Sequence, residues 1–299
     1  MIKRIFITGG TGFFGKSMLD WRLRHPEVAG DEWTILSRDP GRFMKRYPRL
    51  ANQPGVRFRQ GDVRTFAFSD KAYDAVIHAA TDAVTTLSDE EMTSVVVDGT
   101  RHVIDFAKAC GAKKLMLTSS GAVYGALSSA VSEDAPCRPT TAYGKGKLLA
   151  EQMCRESGLH VLLPRCFAFV GPYLNRGIHF AIGNFIQNCI DGQPIDIKGD
   201  GSPLRSYLYA DDLVEWLFTI LERGESGRPY NVGSDEAISI RDLAVLVRET
   251  LQSKSEIRVL GQAVAGAANC YVPNVSRARD ELGLVQKVSL PDAILASCR

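Results

Sequence analysis

Tyr143 and Lys147 are the two side chains whose types and spacing most directly suggest chemistry. Four residues apart at the start of a helical pattern, they share one helix face. A phenol titrates at about pH 10 and is a poor acid or base at neutral pH. A neighbouring ammonium stabilises the phenolate and brings proton transfer toward the working range. Such a pair can move a proton while a hydride moves on a neighbouring carbon. Lys145, two residues from Tyr143, faces away. The reacting oxygen also needs a hydroxyl to hold it. The run Thr118-Ser119-Ser120-Gly121-Ala122-Val123-Tyr124-Gly125 offers one, with Ser120 the first candidate and Ser119 the alternate.

Hydride chemistry needs a dinucleotide, and the N-terminus is built to hold one. Thr8-Gly9-Gly10-Thr11-Gly12-Phe13-Phe14-Gly15 follows an apolar run and opens a helical pattern. In that context Gly9 permits a tight turn, Gly12 lets the backbone approach a pyrophosphate, and Gly15 lets the helix pack near the strand. The amides and dipole of the helix start then face the anion. The next apolar run ends in Ser37-Arg38, and Ser37 lies 22 residues past Gly15. An acid is the usual partner of an unphosphorylated ribose at such a place. A serine and an arginine there donate hydrogen bonds to a 2′-phosphate instead, and Arg42 can assist. The expected cofactor is NADP, with NAD possible because Asp39 stands next in line.

The elements that must position these groups alternate. Residues 4–8, 33–37, 56–59, 75–78 and 114–118 read as buried strands, and residues 14–23, 95–110 and 142–157 as helices, followed by a strand at 159–163. Strand, helix, strand at this spacing gives right-handed crossovers and a parallel sheet covered on both faces. After Arg165 the rhythm breaks into a Gly-Pro turn, helices at 178–190 and 211–222, and a strand at 194–197. The expected fold class is α/β, a Rossmann-type doubly wound parallel sheet with a smaller C-terminal substrate-binding lid. Residues 1–165, with returning segments near 208–235, form the dinucleotide domain, and 166–207 and 236–299 the lid. Ligands of such sheets lie past the carboxyl ends of the strands, where the lid should close.

Composition narrows the class further. With 299 residues, 45% hydrophobic and 23% charged, the chain can bury a sizeable core. A net charge of +2, with basic residues scattered, argues against nucleic acid or an anionic membrane as a partner. Seven cysteines without a Cys-x-x-Cys pair give neither zinc spacing nor a disulfide framework, so no metal is expected and a reducing cytoplasm is. No apolar run is long enough to span a membrane.

Together these residues resemble the extended short-chain dehydrogenase/reductase family, in its NAD(P)-dependent nucleotide-sugar epimerase, dehydratase and reductase branch. The likeness covers nearly the whole chain. Thr8–Gly15 is similar to that family's TGxxGxxG, Gly61-Asp62-Val63 to its adenine segment, and His78-Ala79-Ala80 to the segment beneath the cofactor. Ser120, Tyr143 and Lys147 match its catalytic trio, and Arg205-Ser-Tyr-Leu-Tyr-Ala-Asp-Asp212 its substrate-pyrophosphate segment. The resemblance implies a cofactor site of Gly9, Gly12, Phe13, Phe14, Gly15, Ser37, Arg38, Asp62, Val63, Ala79, Ala80, Tyr143 and Lys147. It implies a substrate site of Thr81, Ser120, Tyr143 and Arg205, a nucleotide diphosphate sugar as substrate, and a homodimer through the helices 95–110 and 142–157.

The departures matter as much. The 4,6-dehydratases of this family need an acidic pair directly after the hydroxyl residue, and its decarboxylases also carry an acid there; here the positions hold Gly121 and Ala122. Elimination and decarboxylation then lose their general acid or base. A common asparagine of the family is Val96 here, and another is Ala168. The first expectation is therefore reduction of a 4-keto nucleotide sugar. The alternative is a 4-epimerase with tightly held NAD; less favoured are a 4,6-dehydratase and a non-catalytic NADP(H) sensor.

Overall fold

The computed structural model describes residues 3–80, 87–177, 180–262 and 269–298. Seven strands make the path of its main sheet: β1 (Arg4–Thr8), β2 (Glu32–Ser37), β3 (Val56–Gln60), β4 (Ala75–His78), β5 (Lys114–Leu117), β6 (His160–Cys166) and β7 (Pro229–Val232). The order is β3-β2-β1-β4-β5-β6-β7, and the short strand Ser119–Ser120 pairs with β6. Pairings from β3 through β6 are parallel. All of β4 and all but the first residue of β1 and β5 are buried, so they read as unbroken apolar runs rather than alternating ones. At β3 the pattern loosens, and the exposed Arg57 blunts the end of the sheet.

Strand order runs one way from β1 to β3 and the other way from β4 to β6. The reversal falls between β1 and β4, and a doubly wound sheet opens its ligand crevice at such a point. The helices follow the crossovers: α1 (Phe13–Arg24), α2 (Pro40–Arg46), α3 (Gly99–Ala109), α4 (Ala142–Glu156) and α5 (Ala210–Arg223). The apolar stripe of α3, with Val103, Ile104, Phe106 and Ala107, is buried. Phe106 meets Phe6 of β1 at 4.5 Å between ring centroids and Phe66 at 5.1 Å. The helix expected over 95–110 starts earlier, at Asp89, and carries a π-helical turn at Ser94–Asp98 before α3 begins at Gly99. Val96, on that turn, is buried and packs against Gly146 of α4.

The chain divides into two compact units. The first holds Met1–Gly125, Cys137–Arg165 and Val214–Tyr230, and the second Ala126–Pro136, Cys166–Leu213 and Asn231–Arg299. In the second unit, helices Ala181–Ile190, Ile240–Thr250 and Leu290–Ala296 enclose a core of Ile182, Phe185, Leu243, Val247 and Ile294. Strand Leu204–Arg205 lies between Ile238–Ser239 and Cys270–Tyr271. No helix among the described residues is long and apolar enough to cross a membrane.

Phe106 is fully buried among the aromatic rings behind β1. Phe106→Ala should lower the unfolding free energy by about 3–5 kcal/mol. A urea titration read by tryptophan fluorescence checks this; a loss below about 1 kcal/mol would mean that the cluster is not the core of the sheet domain.

Candidate active site

The glycine loop joins β1 to α1 in a turn that side chains would block. Gly9 has φ +71°, and a Cβ there would stand 2.3 Å from the carbonyl oxygen of Ala79. Only glycine accepts both the left-handed backbone and the contact. The Gly12 amide donates to Gly9 O at 3.0 Å, which closes the turn. A Cβ on Gly15 would lie 2.1 Å from Gly10 Cα, so α1 starts directly against its own strand. The N-cap of α1 is Gly12, which brings no capping side chain, and the first turn carries no acid. The positive end of a 12-residue helix thus meets the carboxyl edge of the sheet without a carboxylate of its own. Phe13 and Phe14 are half-buried beside it.

The ends of β1 and β4 are locked by a chain of hydrogen bonds whose direction can be read. Ala80 N–H donates to Thr8 Oγ1 at 3.2 Å, and Thr8 Oγ1 lies 2.8 Å from His78 Nδ1. On the other side His78 Nε2 lies 3.2 Å from Thr100 Oγ1, whose proton goes to Val96 O at 2.6 Å. Thr100 can therefore only accept from the imidazole. His78 carries its proton on Nε2, and Nδ1 accepts from Thr8. Complete burial, with the Lys147 charge nearby, pulls the His78 imidazole down to about 3. A neutral ring is thus built in beneath Ala79 and Ala80.

At the end of β2, Ser37 is buried and its hydroxyl oxygen accepts from Asp39 N at 3.2 Å, while Arg38 is exposed. The Asp39 carboxylate caps α2, accepting from Arg42 N at 2.9 Å. One oxygen of the acid that leaves NAD open is thus engaged in helix capping. Arg42, Lys45 and Arg46 are exposed along α2. Asp62 is held by Arg64, which donates from Nε at 2.9 Å and from Nη2 at 3.3 Å. That hydrogen bonding keeps the Asp62 carboxyl below its usual range. Val63 next to it is buried.

Ser120, Tyr143 and Lys147 come from neighbouring segments of the first unit. Ser120 follows β5, is buried, and accepts from Ala122 N at 3.1 Å. Thr141 caps α4 by accepting from Gly144 N at 3.1 Å, which puts Tyr143 in the first turn. Lys147 lies one turn on, 2% exposed, its Nζ donating to Thr118 O at 2.8 Å and standing 5.8 Å from the Tyr143 ring centre. Lys145 is exposed on the other side of the helix. A Cβ on Gly144 would meet Ala122 O at 2.6 Å, so α4 bears directly on the segment after Ser120. Ser119 is engaged differently: its hydroxyl donates to Glu151 Oε1 at 2.5 Å in the interior.

Sequence reasoning missed Glu151, Arg165 and Tyr124. Glu151 is 0% exposed and accepts from Arg165 at 2.9 and 2.8 Å and from Arg155 at 3.1 Å. Arg165 Nη1 also donates to Tyr124 Oη at 3.0 Å. Burial alone would raise the Glu151 carboxyl, but the Arg165 hydrogen bonds outweigh it and hold it below its usual range. The signal was available: Glu151 stands four residues past Lys147 on the same helix face.

Arg205 belongs to the second unit. Its Nη1 donates to Leu204 O at 2.7 Å, Asn269 O at 3.0 Å and Asn269 Oδ1 at 3.3 Å. Neighbouring Asp212 is committed elsewhere, accepting from the Lys287 and Val288 amides. Carbonyl oxygens orient the guanidinium without neutralising it, which suits an anion. Thr81, the remaining expected substrate contact, lies outside the described residues.

A sequence profile described as the NAD dependent epimerase/dehydratase family matches residues 5–233. UDP-glucuronic acid decarboxylase 6 of Arabidopsis thaliana is 26% identical over 97% of this chain and 86% of its own length. The dTDP-glucose 4,6-dehydratase of Streptomyces venezuelae, solved with NAD bound, is 25% identical, with a TM-score of 0.84 over 98% of this chain and 94% of that one. The UDP-glucuronic acid 4-epimerase of Bacillus cereus, solved with UDP-glucuronic acid and NAD, is 23% identical, with a TM-score of 0.85 over 98% of this chain and 97% of that one. At that identity the likeness is one of fold.

The buried imidazole makes stability depend on pH. His78 titrates at about 3 in the folded chain against 6.5 when exposed, so below 6.5 the unfolded chain takes up a proton that the folded one refuses. This contribution is complete above 6.5 and is lost as pH falls, at about 1.4 kcal/mol per pH unit. Denaturant titrations at pH 7 and pH 5 should show that loss in the parent protein and a flatter dependence in His78→Asn. Equal slopes in the two proteins would disprove the buried neutral ring.

Proposed function

The chain belongs to the NAD dependent epimerase/dehydratase family, and from that premise we propose that it reduces a 4-keto nucleotide sugar with NADPH. The observation that carries this reading is the pair Gly121 and Ala122 directly after Ser120. Neither brings a carboxyl group, and Ala122 instead uses its amide to hold the Ser120 oxygen. A site without an acid at those positions keeps proton exchange at one oxygen. It lacks the second acid or base that loss of water or carbon dioxide requires.

The residues present suit a dinucleotide. Gly9 and Gly15 let the loop lie directly on Ala79 and Gly10, where a Cβ would collide with backbone, and the start of α1, without a capping side chain, offers amides to a pyrophosphate. Ser37 and Arg38 are proposed for the 2′-phosphate, while the Asp39 carboxylate is engaged through Oδ1 at the start of α2. Asp62, Val63, Ala79 and Ala80 are proposed for the adenine side and the floor of the site. When bound, the nicotinamide supplies the hydride. Tyr143 gives its phenolic proton to the sugar oxygen, and Ser120 orients that oxygen. Lys147, fixed by Thr118 O, stabilises the phenolate left behind. Arg205 takes the diphosphate in a charge-assisted hydrogen bond, and residues 166–207 and 236–299 act as the substrate-holding part.

A second reading is a 4-epimerase, favoured by the NAD in both solved neighbours. It would use the same three residues and return the hydride to the other face of the sugar.

Incubation with NADPH and a panel of 4-keto nucleotide sugars separates the two. Net oxidation of NADPH with formation of the 4-hydroxy sugar is expected; isomerisation without net consumption of cofactor would replace the first reading by the second. Tyr143→Phe should lower kcat by about 10²–10⁴ with little change in KM. Arg38→Ala should raise the KM for NADPH about tenfold and leave that for NADH within about twofold, since a charge-assisted contact of ~1.5 kcal/mol is lost only with the phosphate. Unchanged selectivity would remove Arg38 from the cofactor site.

A further inference from the structure

The interior of the first unit holds an ion pair that the proposed chemistry does not use. Glu151 is wholly buried and Arg165 4% exposed. Buried pairs of this kind stabilise a fold poorly compared with apolar packing. Its contacts reach the segment that carries Ser120 from both ends. Ser119 Oγ donates to Glu151 Oε1 at 2.5 Å, and Arg165 Nη1 donates to Tyr124 Oη at 3.0 Å. Between those anchors lie only Ser120, Gly121, Ala122 and Val123. Glu151 itself stands on α4, four residues beyond Lys147 and eight beyond Tyr143.

We propose that Glu151, clamped by Arg165, is a positioning residue that sets the Ser120 hydroxyl against Tyr143 through Ser119. The juxtaposition is direct: one carboxylate on the phenol-bearing helix grips the residue next to the hydroxyl, and its guanidinium partner on β6 grips the far end of the same turn. Lys147 Nζ on Thr118 O is a further tie between the same two segments. Glu151 does not reach substrate, because it is 0% exposed and surrounded by donors from Ser119, Arg165 and Arg155. Held ionised by those donors, it also has no proton to give. Its action is geometric: it keeps the hydroxyl and the phenol, which belong to different chain segments, at a fixed separation. The proposal rests on the reading of Ser120 and Tyr143 as the groups that handle the sugar oxygen.

The test is a double-mutant cycle on whichever reaction the parent protein catalyses, reduction or epimerisation. Glu151→Gln removes the charge and risks the fold, so Ser119→Ala is the milder variant that cuts only the link to the turn. Ser119→Ala should lower kcat about tenfold or more, with the sugar KM and the dinucleotide Kd within about twofold. In a Ser120→Ala background the same change should cost less than about twofold, because a residue acting through Ser120 has nothing left to position. Glu151→Gln, where folded, should behave likewise. If Ser119→Ala costs the same factor with and without Ser120, or raises KM and Kd along with lowering kcat, the positioning role is refuted while the site assignment stands. If Ser120→Ala alone turns over like the parent, the reading of the site falls, and the proposal with it.

Discussion

The arrangement rests on one constraint: β1 and β4 must lie side by side while the chain leaves them in opposite directions across the sheet. The crossover helices then sit on opposite faces, and a crevice is left where neither covers the strand ends. For that crevice to be usable, two chain segments must pass almost through one another. Gly9 runs within a Cβ's reach of Ala79, and Gly10 touches Gly15. The relay from the Ala80 amide through Thr8, His78 and Thr100 fastens the same two strands just below. Glycines supply the proximity and a directional set of hydroxyls supplies the rigidity.

The side chains proposed to react extend this logic to the next strand. Ser120 arrives from the end of β5, Tyr143 and Lys147 from α4, and none of the segments touches its partner through apolar packing alone. Backbone oxygens do much of the fixing: Thr118 O takes the Lys147 ammonium, and Ala122 O leaves room only for glycine at 144. Polar fixings of this kind have direction, and direction is what proton transfer requires. The desolvated Glu151–Arg165 pair belongs to the same set.

Much of this was legible in the residues. The glycine spacing, the apolar runs and the Tyr143–Lys147 interval are local signals, and most map onto one element with a boundary displaced by a residue or two, while the strand expected at 159–163 runs on to Cys166. What stayed hidden depends on pairing at long range. Nothing near Glu151 in the chain says that its partners are Ser119 and Arg165, 32 and 14 residues away. The protonation of His78 follows from Thr100 spending its own proton on Val96 O, a fact of geometry alone. The π-helical turn at Ser94–Asp98 was also invisible, because the apolar pattern runs on through it. Ser119 and Ser120 look equivalent as letters; only the strand pleat, which turns alternate residues to opposite faces, sends one inward to a carboxylate.

The cap on α2 carries a consequence for how such a protein can diverge. Asp39 starts the helix and stands two residues past the end of β2, beside the side chains proposed for the ribose phosphate. A substitution that removes this carboxylate removes the cap with it and weakens the first turn of α2. Substitutions can accumulate there only among residues that still cap the helix, so folding constrains the position before any ligand does.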